Sequence, residues 1–577
     1  MMNTRSRSGN LLVRFPSRAY FVLFNASLLR KKLNKVFALI ILACFTVAHF
    51  EIRQVQAQGG SCLVTTNNGD VQGSDLGESC AFLGVPYAAS TAGSSRWKPP
   101  QPAAPSALIN ATTPPAPCPQ VSPAGGLLPG TNEDCLKLNI WVSDPPPSNP
   151  APVIVWLHTG AFFGASANFP SHNGKRLAEE AIVVAPNYRL GPFGFLAHSA
   201  LAAEDPAHPS SGNYGLLDQR AALKWVRDNI AQFGGDPGNV TIAGTSAGGD
   251  SVGLHLVSPA SGGLFHRAIV QSGYSETVRR PTHAEATAQG NVFATALGCT
   301  DPSQVLACMR SKTRDQVLQA LPQAMLQVVE PSNRVYWEPI VDGIEIPDQP
   351  RTLYELGAFH QVPAIIGTTR DEGWVFTSRS FPAGVSLAQY ESWVANEFGA
   401  DASSVLAAYP ASNFPSPTEA LARAVGDGQF VSEGRRLARL IEKTGTPTFL
   451  YSYEYEIDDL SVDHVIHGVE SNILFGNNYV PPIFSNHVLT TDDLTLHSAM
   501  AGYWTRFAAT GNPNSDDESI VHWPAFKHPT GEGRGADKYI IFDSVIREGK
   551  RLREEQCDFW EPFFFRSMLG GFSASRP

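Results

Sequence analysis

Gly244-Thr245-Ser246-Ala247-Gly248 sets a serine between two glycines, each two residues away. A serine hydroxyl is a weak nucleophile until an imidazole takes its proton and a carboxylate holds that imidazole in the right tautomer. The G-x-S-x-G pattern suits a sharp strand-to-helix turn, where the serine backbone is strained and its flanks are crowded. In a chain with 50 glycines the pattern alone says little. Its context says more: Val240-Thr-Ile-Ala reads as a buried strand before it, and residues 249–257 can form a helix after it. Such a turn lifts the Ser246 hydroxyl above a sheet edge and aims the Ala247 N–H at the same space. The chemistry expected is acyl transfer through an activated serine.

On a sheet of this type the chain order is nucleophile, acid, base. Candidate bases downstream are His283, His360, His464, His467, His487 and His497. Position narrows the field. Asp371-Glu372-Gly373 follows the apolar run at 363–366, where a loop leaves a strand end, and His467-Gly468 follows the run near Tyr451. Residue types and spacing leave Asp371 and Glu372 open as the acid.

The elements that must position these groups are legible as short continuous apolar runs at 153–157, 181–185, 240–243, 267–270 and 363–366, with a sixth candidate at 449–453. Such runs indicate strands buried on both faces, hence a parallel sheet. Between them, residues 216–233 carry Leu217, Ala221, Leu223, Trp225, Val226 and Ile230 at near-helical spacing and stop at Gly234-Gly235. Alternation of strand and helix predicts an α/β fold with a central, mostly parallel twisted sheet flanked by helices. Residues 281–335 and 385–445 read as helical insertions over the C-terminal strand ends. Residues 62–90 alternate and carry Gly turns, which predicts a small N-terminal antiparallel sheet. Pro-rich stretches at 99–119 and 143–152 read as extended surface connections.

Residues 1–57 differ from the rest. No Asp or Glu occurs before Glu51, and Arg30, Lys31, Lys32 and Lys35 precede an apolar run at 36–48. A basic flank, a short apolar run and the small-residue site Val55-Gln56-Ala57 predict a secretory signal cut before Gln58. The alternative is an uncleaved signal anchor. The run is too short for a confident membrane span. Residues 58–577 are then one catalytic domain, with 34 Lys/Arg against 52 Asp/Glu. That acidic balance disfavours nucleic acid as a partner. Seven cysteines remain after Cys44 is removed, none in a C-x-x-C spacing, so disulfides are expected and a zinc site is not. Asn110-Ala-Thr is a usable glycosylation sequon, whereas Asn239-Val-Thr sits at the mouth of a core strand.

Six motifs in order carry a family resemblance. Glu133-Asp-Cys-Leu-Lys-Leu-Asn-Ile-Trp, Asn187-Tyr-Arg-Leu-Gly-Pro-Phe-Gly-Phe, Gly215-Leu-Leu-Asp-Gln-Arg and the run from Phe233 through Ser246 to Gly249 are four. Gln271-Ser-Gly and Val465-Ile-His-Gly-Val-Glu complete the set. Over residues 62–565 the chain resembles the type-B carboxylesterases, the cholinesterase-like group of α/β-hydrolases that includes fungal lipases. The resemblance implies Ser246 as nucleophile, Glu372 as acid and His467 as base, with Ser272 supporting the Glu–His pair. It implies an oxyanion hole from the N–H groups of Gly160, Ala161 and Ala247. It pairs Cys118 with Cys135 and Cys299 with Cys308; elimination then joins Cys62 to Cys80 and leaves Cys557 alone. Arg96–Glu133 and Arg189–Asp218 resemble structural ion pairs of the family.

The same resemblance implies a carboxylic ester hydrolase that acts on small-molecule or lipid esters and needs no metal or organic cofactor. The departures bear on specificity. Thr159 stands where the family's glycine run usually continues, and Thr245 stands where cholinesterases carry Glu. No counterpart of their choline-binding Trp occurs between Cys118 and Cys135, so no choline-ester preference is expected. The loop at 119–134 is short for a lid, which favours an esterase over an interfacially activated lipase. A non-catalytic adhesion ectodomain is the remaining alternative. Oligomeric state is not legible.

Overall fold

The computed structural model describes residues 62–122, 126–146, 149–273, 278–320, 337–457, 463–478, 487–528, 537–566 and 574–575. The signal expected at 1–57 lies outside them. At the N-terminal end come β1 (Leu63–Thr66), β2 (Gly69–Gln72), β3 (Ser74–Asp75), β4 (Ser79–Pro86) and β5 (Leu108–Asn110). The core strands are β6 (Lys137–Ser143), β7 (Ala151–Leu157), β8 (Ile182–Pro186), β9 (Gly235–Thr245) and β10 (Arg267–Gln271). After β11 (Val278–Arg279) follow β12 (Ala364–Thr369), β13 (Thr448–Tyr453), β14 (Lys538–Phe542) and β15 (Arg547–Lys550).

The large sheet has 11 strands in the order β15-β14-β13-β12-β10-β9-β7-β8-β6-β4-β3. From β8 through β14 every pairing is parallel, and the antiparallel pairs lie toward the edges. All six apolar runs are strands of this parallel stretch. Their side chains alternate between two cores. Val153, Val155, Leu157, Ile242, Val270 and Ile366 enter one cluster, whereas Ile154, Trp156, Ala243, Ile269 and Ile365 enter the other. Burial on both faces is why these strands read as unbroken apolar runs.

Helix α1 (Tyr214–Asn229) covers the first face with Leu216, Leu217, Leu223 and Val226, and continues as a 3-10 turn to Phe233. It stops at Gly234, whose φ of 85° is the left-handed cap that the Gly-Gly pair predicted. Helix α2 (Ala247–Val257) starts directly after Ser246. Helices α3 (Pro417–Gly426) and α4 (Ser432–Glu442) are joined by a π-helical turn, Asp427–Val431. Helix α5 (Thr491–Thr510) covers the second face with Leu496, Met500, Trp504 and Phe507. The helical stretch expected at 281–335 is observed as His283–Ala296, Val305–Ser311 and Arg314–Gln319; residues 321–335 lie outside the described set.

The N-terminal hairpin β1–β2 is antiparallel as expected, but the small sheet gains β5 in parallel, out of the Pro-rich stretch read as a plain connection. β3 and β4, from the same 62–90 segment, join the large sheet beside β6 instead, with β3 at its edge. The apolar-run criterion also passed over β6, because Lys137, Asn139 and Ser143 interrupt it. Asn139 is buried at no cost in hydrogen bonds: its Oδ1 accepts from Gly84 N at 3.0 Å and its Nδ2 donates to Asn168 Oδ1 at 2.9 Å.

Two buried ion pairs lie where the motifs placed them. Arg189 meets Asp218 of α1 through two bonds of 2.7 Å, and Arg96 meets Glu133 at 2.8 Å through Nε. Disulfides join Cys62–Cys80, Cys118–Cys135 and Cys299–Cys308, and Cys557 is buried and unpaired. The Cys118–Cys135 bridge closes a loop of 17 residues' separation. On chain-entropy grounds the double variant C118S/C135S should lose about 3 kcal/mol of unfolding free energy. Urea unfolding followed by tryptophan fluorescence checks it, and an unchanged midpoint would show that the loop is already ordered in the unfolded chain.

Candidate active site

Ser246 stands at φ 59°, ψ −124°, between the last residue of β9 and the first of α2. That backbone is costly for a residue with a side chain, by about 1–3 kcal/mol. Its surroundings hold it there. The Ser246 N–H donates to Gln271 O at 2.9 Å, and its carbonyl accepts from Asp250 N at 2.7 Å. Glycines are needed on both flanks because the neighbouring backbones leave no room. A Cβ on Gly248 would lie 1.9 Å from Leu157 O, and one on Gly244 would lie 2.5 Å from the Gly248 carbonyl carbon. The G-x-S-x-G pattern is therefore a record of crowding.

The acid and base come together from two later strand ends. The Glu372 Oε2 lies 2.5 Å from His467 Nδ1. Its other oxygen, Oε1, accepts from Ser272 Oγ at 2.6 Å and from Thr369 N at 2.7 Å. Glu372 is thus fully engaged, with one oxygen for the imidazole and one for its supports. Asp371, the other acid that the spacing left open, does different work. Its Oδ2 accepts from Val465 N at 3.0 Å, its own N–H donates to Val465 O at 3.0 Å, and its Oδ1 meets Arg423 at 3.0 Å. It staples the histidine loop to the end of β12. Gly373 lets this turn press on α3, since a Cβ there would lie 2.0 Å from Ala422 O.

The other candidate histidines are occupied elsewhere. His464 meets Glu419 at 3.0 Å and stacks on Trp374, His487 meets Asp493 at 2.9 Å, and His497 meets Ile473 O at 2.9 Å. His360 meets Ser258 O at 2.8 Å and His283 meets Ser211 Oγ at 3.2 Å. Of these six, His467 alone is both held by an acid and beside the serine turn. Thr245 Oγ1 and Ser471 Oγ lie 2.9 Å apart, and a Cβ on Gly468 would lie 3.5 Å from Thr245 Cγ2. The His467 ring packs on Phe376 and Phe430, with centroids at 5.1 and 4.7 Å. Phe430 belongs to the π turn, a helix irregularity that often marks functional sites. The imidazole Nε2 of His467 is buried and has no hydrogen-bond partner among the described residues. No hydrogen bond joins it to Ser246 Oγ here; in free enzymes such bonds are often long and tighten with substrate.

The loop after β7 brings the third component. Gly160, Ala161 and Phe162 take successive positive φ values of 111°, 51° and 63°. Gly160 O accepts from Phe163 N and Gly164 N at 3.0 and 2.9 Å, closing a tight turn. Among the described residues, the N–H groups of Gly160 and Ala161 find no acceptor. Ala247 N–H, first in α2, is an orphan of the helix start. Unpaired backbone N–H groups are available to donate to a bound acceptor.

Sequence reasoning passed over the layer behind this site. Glu470 is fully buried; its Oε1 accepts from Gln271 Nε2 at 3.1 Å, and Trp504 Nε1 donates to Gln271 Oε1 at 3.0 Å. The Glu470 Oε2 has no hydrogen-bond partner among the described residues. Burial first, and then the nearby Glu372 charge, push its carboxyl from 4.5 up to about 7. A helical position three residues after His467 was the available signal.

A serine on a strand-to-helix turn of a mostly parallel sheet, with later strand ends delivering an acid and a histidine, defines an α/β-hydrolase. The carboxylesterase family profile matches residues 60–560, and the chain belongs to that family. The para-nitrobenzyl esterase of Bacillus subtilis (strain 168) is 33% identical over 500 residues, covering 85% of this chain and 98% of the relative. The protein is a carboxylic ester hydrolase, as the motifs implied.

Glu470 has a consequence for stability. The folded state keeps its proton over a range where the unfolded chain has lost it, so its contribution is fully present below about pH 4.5 and is lost as pH rises to about 7. Glu470→Gln should remove that loss. Relative to wild type, it should be more stable at about pH 8 than at about pH 5 by roughly 2 kcal/mol. Urea midpoints at both pH values measure this, and parallel pH dependences would refute it.

Proposed function

We propose that Ser246 is the nucleophile, His467 the general base and acid, and Glu372 the group that orients and balances the imidazole, in hydrolysis of carboxylic esters through an acyl-enzyme. The observation that carries this is the 2.5 Å contact between Glu372 and His467 on a loop packed against the serine turn. Nδ1–H of His467 is committed to the carboxylate, so Nε2 is the nitrogen able to accept the Ser246 proton. As Oγ attacks the ester carbonyl, the charge on its oxygen is met by the N–H groups of Gly160, Ala161 and Ala247. The tetrahedral intermediate collapses, His467 protonates the departing alcohol, and water repeats the sequence on the acyl-enzyme. Ser272 and Thr369 N–H support Glu372 from behind.

Phe376 and Phe430 give the histidine an apolar flank, which fits uncharged acyl and alcohol groups. The relative's name points to benzylic esters as one class to assay, beside p-nitrophenyl butyrate. S246A and H467A should each lower kcat/KM by about 10⁴-fold or more, and E372Q by about 10³- to 10⁴-fold, with unchanged melting temperatures. A fluorophosphonate should add its phosphonyl group to Ser246 alone by peptide mass spectrometry. Retained turnover in S246A would sink the assignment. A jump in rate on emulsified long-chain triglyceride would make the enzyme a lipase instead.

We also propose that residues 1–57 direct export and are removed. Three disulfides support an oxidising destination. Among the described residues no helix is long and apolar enough to cross a membrane. N-terminal sequencing of the protein from the culture medium should begin at Gln58; a retained leader would favour an anchor.

A further inference from the structure

His158 sits between β7 and the turn that carries the Gly160 and Ala161 N–H groups, outside the three proposed catalytic side chains. It is buried, and its Nδ1 lies 2.8 Å from the carbonyl oxygen of the next residue, Thr159. Among the described residues no other group donates to that oxygen. The Thr159 carbonyl and the Gly160 N–H belong to one peptide unit. In a trans peptide the two point in opposite directions within one plane. Whatever holds the carbonyl therefore aims the N–H. Gly160, at φ 111°, could rotate this plane more freely than other residues can.

The imidazole is itself held. It stacks on the Tyr188 ring with centroids 4.1 Å apart and planes 13° apart. Tyr188 OH donates to the carbonyl of His158 at 2.8 Å, so the preceding peptide is fixed by the same pair. Burial pushes the His158 imidazole down to about 4, so the ring is neutral at working pH and carries one proton. Facing a carbonyl acceptor, that proton resides on Nδ1. Its Nε2 has no partner among the described residues, so the ring's one hydrogen bond there is the one to Thr159.

We propose that His158 is a positioning residue of the oxyanion hole: its Nδ1–H clamps the Thr159–Gly160 peptide and thereby presents the Gly160 N–H to the charge that forms on the ester oxygen. Donation to the carbonyl also polarises the peptide, which makes its N–H a stronger donor. This rests on the reading of Gly160 as an oxyanion donor, and the test separates the two.

Two variants divide the ring from its proton. His158→Phe keeps a flat ring on Tyr188 and has no donor; His158→Asn loses the ring and places a carboxamide nitrogen close to where Nδ1 was. Kinetics on p-nitrophenyl butyrate are combined with inhibition by an alkyl trifluoromethyl ketone, to which Ser246 adds to form an oxyanion, and by the matching methyl ketone. H158F should lower kcat about 10- to 100-fold with KM within about twofold, and weaken the trifluoromethyl ketone by the same factor while leaving the methyl ketone unchanged. H158N should stay within about fivefold of wild type on kcat. A fully active H158F, or an H158N as impaired as H158F, would overturn the clamp and leave His158 as packing. Should H158F not fold, H158L, the apolar near-isostere of H158N, replaces it with the same outcomes. If wild type itself does not prefer the trifluoromethyl ketone, the oxyanion reading fails; if wild type prefers it and H158F prefers it equally, only the clamp fails.

Discussion

Three backbones converge on Ser246, and their closeness governs the site. The end of β7 presses on Gly248, the end of β10 accepts the Ser246 N–H, and the first turn of α2 accommodates the strain at φ 59°. None of these contacts involves the serine hydroxyl. They cost the chain a strained residue and three positions without side chains, Gly244, Gly248 and Gly249. They leave the hydroxyl at the one point where strand ends and a helix start meet. Parallel strands make this convergence available, because all their carboxyl ends lie along one edge.

The rest of the site consists of supports for groups delivered to that edge. β12 ends in two adjacent acids with separate tasks. Glu372 reaches the imidazole, while Asp371, through its carboxylate and its N–H, makes two bonds to the Val465 backbone that bring residue 465, and so His467, alongside. β10 contributes Gln271 and Ser272, one to the serine turn and the buried Glu470, the other to Glu372. β7 ends in the turn that carries the orphan N–H groups. Strand ends supply reacting groups together with groups that restrain a neighbour, which is how a site gains precision from a scaffold of modest stability.

Electrostatics obey the same division. Glu372 has both oxygens engaged, one by the His467 ring and one by Ser272 Oγ and Thr369 N. Glu470, just behind, has one oxygen unmet among the described residues and is held protonated toward neutrality by burial and by the Glu372 charge.

Much of this was legible in the residues. Mostly apolar runs identify strands buried on both faces because both faces pack against apolar cores, and the few polar residues within them, such as Thr241 and Ser452, are small and buried. The helix stop at Gly234-Gly235 and the glycines around Ser246 are local steric needs, written where they act. Family motifs carried the choice of Glu372 over Asp371 and of His467 over five other histidines. Residue types could not make that choice, since it depends on which side chains meet across 95 positions of sequence. The place of β4 in the large sheet, the parallel addition of β5 and the strand β6, with its buried Asn139, were not legible, because partners distant in sequence satisfy their backbone and amide groups. The same holds for His158. As a residue it is one histidine among 15; only the folded chain brings its ring onto Tyr188 and its proton to the peptide that aims Gly160. Local sterics and burial are written in single residues, whereas pairing, orientation and charge balance exist only between residues that the fold has made neighbours.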